Sequence, residues 1–179
     1  MPDGHGAGGH DAYFMSGAPR FLVDINVGRL ARWLRVLGYD ALLARDVDDN
    51  ALVRLALREG RVLLTRDTQI LKRRVVTLGL LRALLIQHDA VADQLRQVMD
   101  ALSLEGTAHA FSRCIECNEP LAQRRPDEVR VMVPPYVYGT QRAYSQCPTC
   151  RRVYWRGTHW GNMRKEMERV RPGLGDSPA

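Results

Sequence analysis

Two short apolar runs in this chain of 179 residues end in a carboxylate. Phe21-Leu22-Val23 runs into Asp24, and Val62-Leu63-Leu64 runs through Thr65 and Arg66 into Asp67. In an open parallel sheet the strands are buried, and ligands bind in the crevice beyond their carboxyl ends. Acids at both places put one polar site on one rim of a sheet. Asp49, ahead of a helical stretch, and Asp89, after a further apolar run, are additional candidates. Each also has an ordinary use, because Asp49, Asp67 and Asp89 stand where helix N-caps stand. Clustered carboxylates repel, so such a group calls for a cation, and carboxylate oxygens suit Mg²⁺ or Mn²⁺. Two such ions roughly 3.5–4 Å apart can activate water and stabilise the leaving oxygen of a phosphodiester.

A second set of chemistry-bearing residues lies further on. Cys114-Ile-Glu-Cys117 and Cys147-Pro-Thr-Cys150 are two C-x-x-C knuckles, and the chain has no other cysteine. Four thiolates in two pairs fit a tetrahedral structural zinc site with no open position for catalysis. Two disulfides are the rival reading, disfavoured in a reducing cytosol. His159 could ligate a metal, but four cysteines already complete one shell. Tyr154 and Trp155 lie among Arg142, Arg151, Arg152 and Arg156. Such aromatics either stack on unpaired bases, with Arg neutralising phosphate, or fill the small core of a zinc ribbon.

The elements that must position these groups follow from periodicity. Strands are predicted at Phe21–Asp24, Tyr39–Leu43, Arg61–Leu64 and Arg82–Ile86. Helices are predicted at Gly28–Leu37, at Asn50–Glu59, from about Asp67, and at Ala90–Leu102. In the first helix Leu30, Trp33, Leu34 and Leu37 share a face, while Arg29, Arg32 and Arg35 form a solvated stripe. If that stripe borders the crevice, it becomes a phosphate track. Gly38 caps the helix. Lys72-Arg73-Arg74 is placed near the end of the third helix. This alternation implies an α/β fold with a parallel sheet and right-handed crossovers. The pattern stops near Leu104–Thr107. Expected are a tail over 1–19, an α/β domain over 20–107, a zinc ribbon over 108–170 and a tail over 171–179. Removing residues 108–179 is expected to weaken binding of a polyanion more than it disturbs the first domain.

The formal charge is +6, and 24 of the 26 basic residues are Arg. Segment 20–107 holds 14 bases against 11 acids, a net +3, and segment 108–170 holds 11 against 6, a net +5. Arg abundance can be a compositional bias, yet the positive excess favours a polyanionic partner either way. With 45% hydrophobic residues the chain can build a core. No apolar run approaches the roughly 18–20 residues that span a bilayer. The first residues lack the basic start and apolar middle of a secretory signal. A cytoplasmic protein with no membrane partner is expected.

Taken together, Asp24, the run Gly28-Arg29-Leu30-Ala31-Arg32-Trp33-Leu34-Arg35, the run Leu63-Leu64-Thr65-Arg66-Asp67, the two knuckles and Val153-Tyr154-Trp155-Arg156-Gly157-Thr158-His159 resemble the Mut-seven C-terminal RNase family. The resemblance covers about residues 20–160. It implies a PIN-like nuclease domain joined to a zinc ribbon, and metal-dependent cleavage of RNA. It puts the metal-binding and catalytic acids at Asp24, Asp49 and Asp67, with Asp46 and Asp48 as alternatives for the middle one. Asn26 is either a donor behind that site or a harmless change. Thr65 is placed to orient a carboxylate or a metal-bound water. Arg29, Arg32, Arg66, Arg151 and Arg152 are the candidate RNA-binding residues. Zn²⁺ at Cys114, Cys117, Cys147 and Cys150 is structural, and Mg²⁺ or Mn²⁺ at the acids is catalytic. RNA is the expected partner, with tRNA and the ribosome as forms of it, and a regulatory protein partner is compatible. The alternative is a non-catalytic RNA- or ribosome-binding protein that keeps the fold; a basic module meeting an acidic protein is a third reading.

Overall fold

The structure is a computed structural model that describes residues 17–104 and 109–172. Apart from 17–19 and 171–172, the tails expected at the two ends lie outside the described residues. Four strands, β1 (Phe21–Val23), β2 (Ala41–Leu43), β3 (Val62–Thr65) and β4 (Ala83–Leu85), form a parallel sheet in the order β2-β1-β3-β4. Helices α1 (Gly28–Val36), α2 (Asp49–Glu59), α3 (Thr68–Leu71), α4 (Arg74–Thr77) and α5 (Val91–Ala101) connect or follow the strands. Side chains alternate across a strand. Phe21, Val23 and Leu64 enter one core beneath α1 and α5, while Leu22 and Leu63 enter the other beneath α2 and α3. Both faces are covered, which is why each strand reads as a continuous apolar run.

Beyond α5 comes an antiparallel sheet of β5 (Ala122–Arg124), β6 (Tyr144–Gln146) and β7 (Val153–Trp155), with α6 (Pro126–Val129) and α7 (Pro135–Thr140) between β5 and β6. Its small core holds Val129, Val133 and Tyr144, with Trp155 packed against them. The last helix, α8 (Thr158–Val170), returns to the first unit and buries Met167 and Val170 in the core shared with α1 and α5. The fold is therefore α/β with a flanked parallel sheet, followed by a four-cysteine module consistent with a zinc ribbon.

Three local expectations change. The expected solvated Arg stripe on α1 is broken, because Arg35 is only 7% exposed. Its guanidinium donates to the carbonyls of Ala41, Ile115 and Glu116 at 2.8–2.9 Å. The predicted single helix from Asp67 is two short ones, α3 and α4. Arg73 is extended between them, so Lys72-Arg73-Arg74 sits at a break. The module after Leu104 does not stand clear of the first unit. Ile115 belongs to the first core, the Asn118 side chain accepts from Ala41 N–H at 2.9 Å, and Phe111 N–H donates to Val36 O at 2.8 Å. Gly38 marks the closest approach: with φ at +90°, a Cβ there would lie 2.2 Å from the His109 carbonyl oxygen.

Candidate active site and metal centre

The chain passes from β1 outward to β2, then crosses back to β3 on the other side of β1. The crevice at such a switch point opens beyond the carboxyl ends of β1 and β3. Asp24 directly follows β1, Thr65 is the last residue of β3, and Arg66-Asp67 directly follow it. Thr65 is fully buried and links the two: its hydroxyl donates to Asp24 Oδ2 at 2.6 Å and accepts the Asp67 backbone N–H at 3.0 Å. Asn26 donates to the same Asp24 oxygen at 3.2 Å, so the donor reading of this residue fits its position. Both bonds use Oδ2, and neither uses Oδ1.

Asp24 is 8% exposed, and among the described residues no Arg, Lys or His pairs with it. Buried carboxylates ordinarily have a cationic partner, because neutral donors return hydrogen bonds but not charge. This donor set suits a small, hard cation with oxygen ligands. Asp67 is half-buried and is the N-cap of α3, its Oδ1 accepting from Gln69 N–H at 2.7 Å. Capping occupies one of its two carboxylate oxygens.

The other acids have different surroundings. Asp48, not Asp49, caps α2, accepting from Ala51 N–H at 2.7 Å; Asp49 is the first helical residue. The Asp49 side chain is exposed and lies 3.7 Å from Arg73, which also donates to Asn50 Oδ1 at 2.7 Å. Asp46 is exposed with φ at +53°. Asp89 does not cap α5; it pairs with Arg66 at 2.6 Å on the surface. Among the described residues, the four cysteines converge as a group that could hold a metal ion, and Asp24, Asp49 and Asp67 do not form such a group. Arg29 is exposed at the start of α1, near the end of β1.

All four cysteine sulfurs lie within 4.8 Å of one another and are free of disulfides. A tetrahedron with Zn–S bonds of about 2.3 Å has edges of about 3.8 Å, and Cys114 Sγ stands 3.7 Å from Cys150 Sγ. The cluster can therefore hold zinc. Burial opposes ionisation of Cys114, but the Tyr154 hydroxyl and the backbone N–H groups of Cys117 and Glu116 outweigh it and bring the thiol to about 7. Cys117 is pushed up to about 12 by its contact with Cys150, with burial adding to that. Burial also raises Tyr154, whose hydroxyl lies 3.1 Å from Cys114 Sγ. Such an outer hydroxyl orients and tunes a ligating thiolate. His159 is not part of the cluster.

Tyr154 is thus spent on the cysteine cluster and Trp155 on the ribbon's small core. Arg151 is exposed, with φ at +61°, at the second knuckle. Arg152 and Arg32 approach the same carboxylate, Glu116, at 3.2 and 3.9 Å. Arg32 therefore faces the first knuckle. Sequence reasoning missed Asp40, Glu59 and Arg61, which pair beneath the sheet, and Asn118, which joins them. The available signal was a charged residue directly before a strand, Asp40 before β2 and Arg61 before β3, and a polar residue directly after the first knuckle, Asn118.

A flanked parallel sheet with a switch point beyond β1 and β3, and a four-cysteine module packed beside it, defines the α/β class of this protein. Residues 19–167 match the family model of the Mut7-C RNAse domain, and the chain belongs to that family. Its membership gives it a nuclease-like, RNA-related role. No curated protein and no solved structure matches the chain. No helix among the described residues is long and apolar enough to cross a membrane.

Proposed function

We propose that this protein is a metal-dependent endoribonuclease that hydrolyses RNA phosphodiesters at the rim beyond β1 and β3. The observation that carries the reading is Asp24: a nearly buried carboxylate at the switch point, held by Thr65 and Asn26 and paired with no cation among the described residues. Asp24 and Asp67 would hold Mg²⁺ or Mn²⁺, with Asp49, or its neighbours Asp46 and Asp48, contributing once Arg73 yields. Mg²⁺ commonly takes only one or two carboxylates and completes its shell with water and substrate phosphate. Acids that stand apart are therefore compatible with it. When bound, such an ion supplies charge that activates water and stabilises the leaving oxygen of a phosphodiester.

The chain's own residues do the rest. Thr65 fixes the Asp24 carboxylate and the Asp67 loop in one arrangement. Arg29 and Arg66 bind phosphates flanking the scissile one; Arg66 exchanges its exposed Asp89 partner for phosphate, a contact worth little in water. The four cysteines hold a structural zinc that keeps the module against the sheet. Arg32, Arg151 and Arg152 extend the positive surface along which RNA lies, whether as tRNA, ribosomal RNA or a free strand. The protein acts in the cytoplasm, and a regulatory partner is compatible with the exposed rim.

The test is incubation of the zinc-loaded protein with structured and unstructured RNAs, with Mn²⁺ and without it, beside Asp24→Asn. Cleavage that needs Mn²⁺ and vanishes in the variant, with RNA binding kept, supports the reading. No cleavage by wild type, with equal RNA binding by both, would make the non-catalytic binder the better account.

A further inference from the structure

We infer that the cavity between α1, the first cysteine knuckle and the start of α8 binds one unpaired nucleotide of an RNA strand, as a second site apart from the acid rim. This rests on the reading of the chain as an RNA-cleaving protein. The cavity has a volume of about 710 Å³, within the range of small-ligand sites. Its aromatic wall is built from Phe111 and Trp160, whose ring centroids are 5.1 Å apart at 41°. The Arg156 and Arg164 guanidinium groups lie over the Trp160 ring, 5.4 and 5.8 Å from its centroid, so the ring already stacks on planar cations and an entering base takes the place of one of them.

The charge at the mouth points the same way. Arg32, Arg113, Arg152 and Arg156 line the cavity, and among the described residues no Asp or Glu does. Arg113 is committed to the carbonyls of Gly38 and Asn118. Arg32 and Arg152 share the single carboxylate of Glu116, so two guanidinium groups meet one acid. A positive mouth over an aromatic wall suits a phosphate attached to a base whose faces are free. Bases in a duplex are already stacked and cannot enter such a pocket. Position adds a third argument. From Gly28 at the acid rim, Arg32 and Val36 lie roughly 6 and 12 Å along α1 at 1.5 Å per residue. A single strand anchored in the cavity can therefore also reach Asp24.

The experiment is a tryptophan-fluorescence titration of the full zinc-loaded chain, without added Mg²⁺ or Mn²⁺. The probes are an unpaired pentaribonucleotide, adenosine monophosphate and a blunt RNA duplex. The pentanucleotide should quench the signal and bind at least about tenfold more tightly than the other two. With affinity read by the anisotropy of a dye-labelled pentanucleotide, because the Trp160 variants lose the reporting ring, Arg156→Gln and Trp160→Leu should each weaken it by about tenfold, and Trp160→Phe should restore most of the affinity. Equal affinity for the mononucleotide would mean a nucleotide site rather than an RNA site, and preference for the duplex would overturn the stacking argument. Unchanged binding in both weakened variants, or loss of binding in Asp24→Asn instead, would place the strand on the acid rim and overturn the inference. A chain that binds the pentanucleotide through Trp160 and Arg156, yet cuts no RNA, keeps this inference while overturning the nuclease reading.

Discussion

The two rims of the parallel sheet treat acids in opposite ways. At the amino-terminal rim, Asp40 precedes β2 and Arg61 precedes β3, and the two meet at 2.6 Å. Arg61 also bonds Glu59 at 2.7 Å and the Phe21 carbonyl at 3.1 Å, and Asn118 donates to Asp40 at 2.7 Å. Burial opposes ionisation of Asp40, but its bonds from Arg61 and Asn118 outweigh that and hold the carboxyl below its ordinary value. At the carboxyl-terminal rim, Asp24 is more deeply buried than Asp40 but has only neutral donors. A buried acid with a cation beside it holds the fold together. In the function proposed above, a buried acid without one is held ready for a cation from solution. The difference teaches which of two similar-looking aspartates to assign to structure and which to chemistry.

The largest expected effect sharpens the structural side. A zinc site of this kind contributes on the order of 10 kcal/mol in small modules. Here Ile115, Asn118 and the carbonyls that Arg35 binds tie the first knuckle to the amino-terminal rim. Chelation should therefore lower the melting temperature of the whole chain in one cooperative transition by calorimetry. A ribbon that melts alone, with the sheet unchanged, would cut the link between the rims. Since thiols must lose protons to bind metal, zinc retention should fall as pH is lowered.

Asp40→Asn comes next. Removing one partner of a largely buried pair should cost about 2–3 kcal/mol, less than for a fully buried pair because Asp40 keeps some exposure. The pH dependence has a definite sign. The folded pKa of Asp40 lies below its ordinary 3.8, so its stabilisation is complete above about pH 5 and is lost as pH falls through the folded value. The variant should show a smaller loss of melting temperature between pH 7 and pH 3 than wild type. An equal loss in both would remove Asp40 from the acid transition.

The rim proposed to bind the metal ion has its own graded test. Thr65→Val keeps the branched shape but removes the hydroxyl between Asp24 and Asp67. Losses of such outer contacts typically reduce metal affinity or activity by about 10–100-fold, and cleavage rates should fall by that amount. Unaltered rates would mean the Asp24 orientation does not matter. Smallest is Arg66→Gln. Its surface pair with Asp89 should be worth about 0–1 kcal/mol, so stability should barely move. RNA affinity should weaken, and the slope of log affinity against log salt should drop by about 1.

Much of this architecture was legible in the sequence because it is local. Apolar runs that stop at Asp24 and near Asp67 gave the strand ends, and C-x-x-C spacing gave the cysteine cluster. Less legible was anything set by distant cover. Arg35 lies on the side of α1 away from its apolar face, and its cover comes from the carbonyl of Ala41 and from those of Ile115 and Glu116, some eighty residues along. No local period carries that information. The run Asp46-Val47-Asp48-Asp49 offers three acids for one cap, and only backbone geometry selects Asp48. The cavity wall of Phe111 and Trp160 joins residues from two separate elements, so spacing could not reveal it.

The most direct test of the contrast between the rims is a calorimetric titration of Mn²⁺ into the zinc-loaded wild type, Asp24→Asn and Asp40→Asn at neutral pH. Wild type and Asp40→Asn should bind Mn²⁺ with similar affinity, while Asp24→Asn should bind at least about tenfold more weakly or not at all. Equal binding by wild type and Asp24→Asn would contradict the assignment of this rim to metal-dependent chemistry.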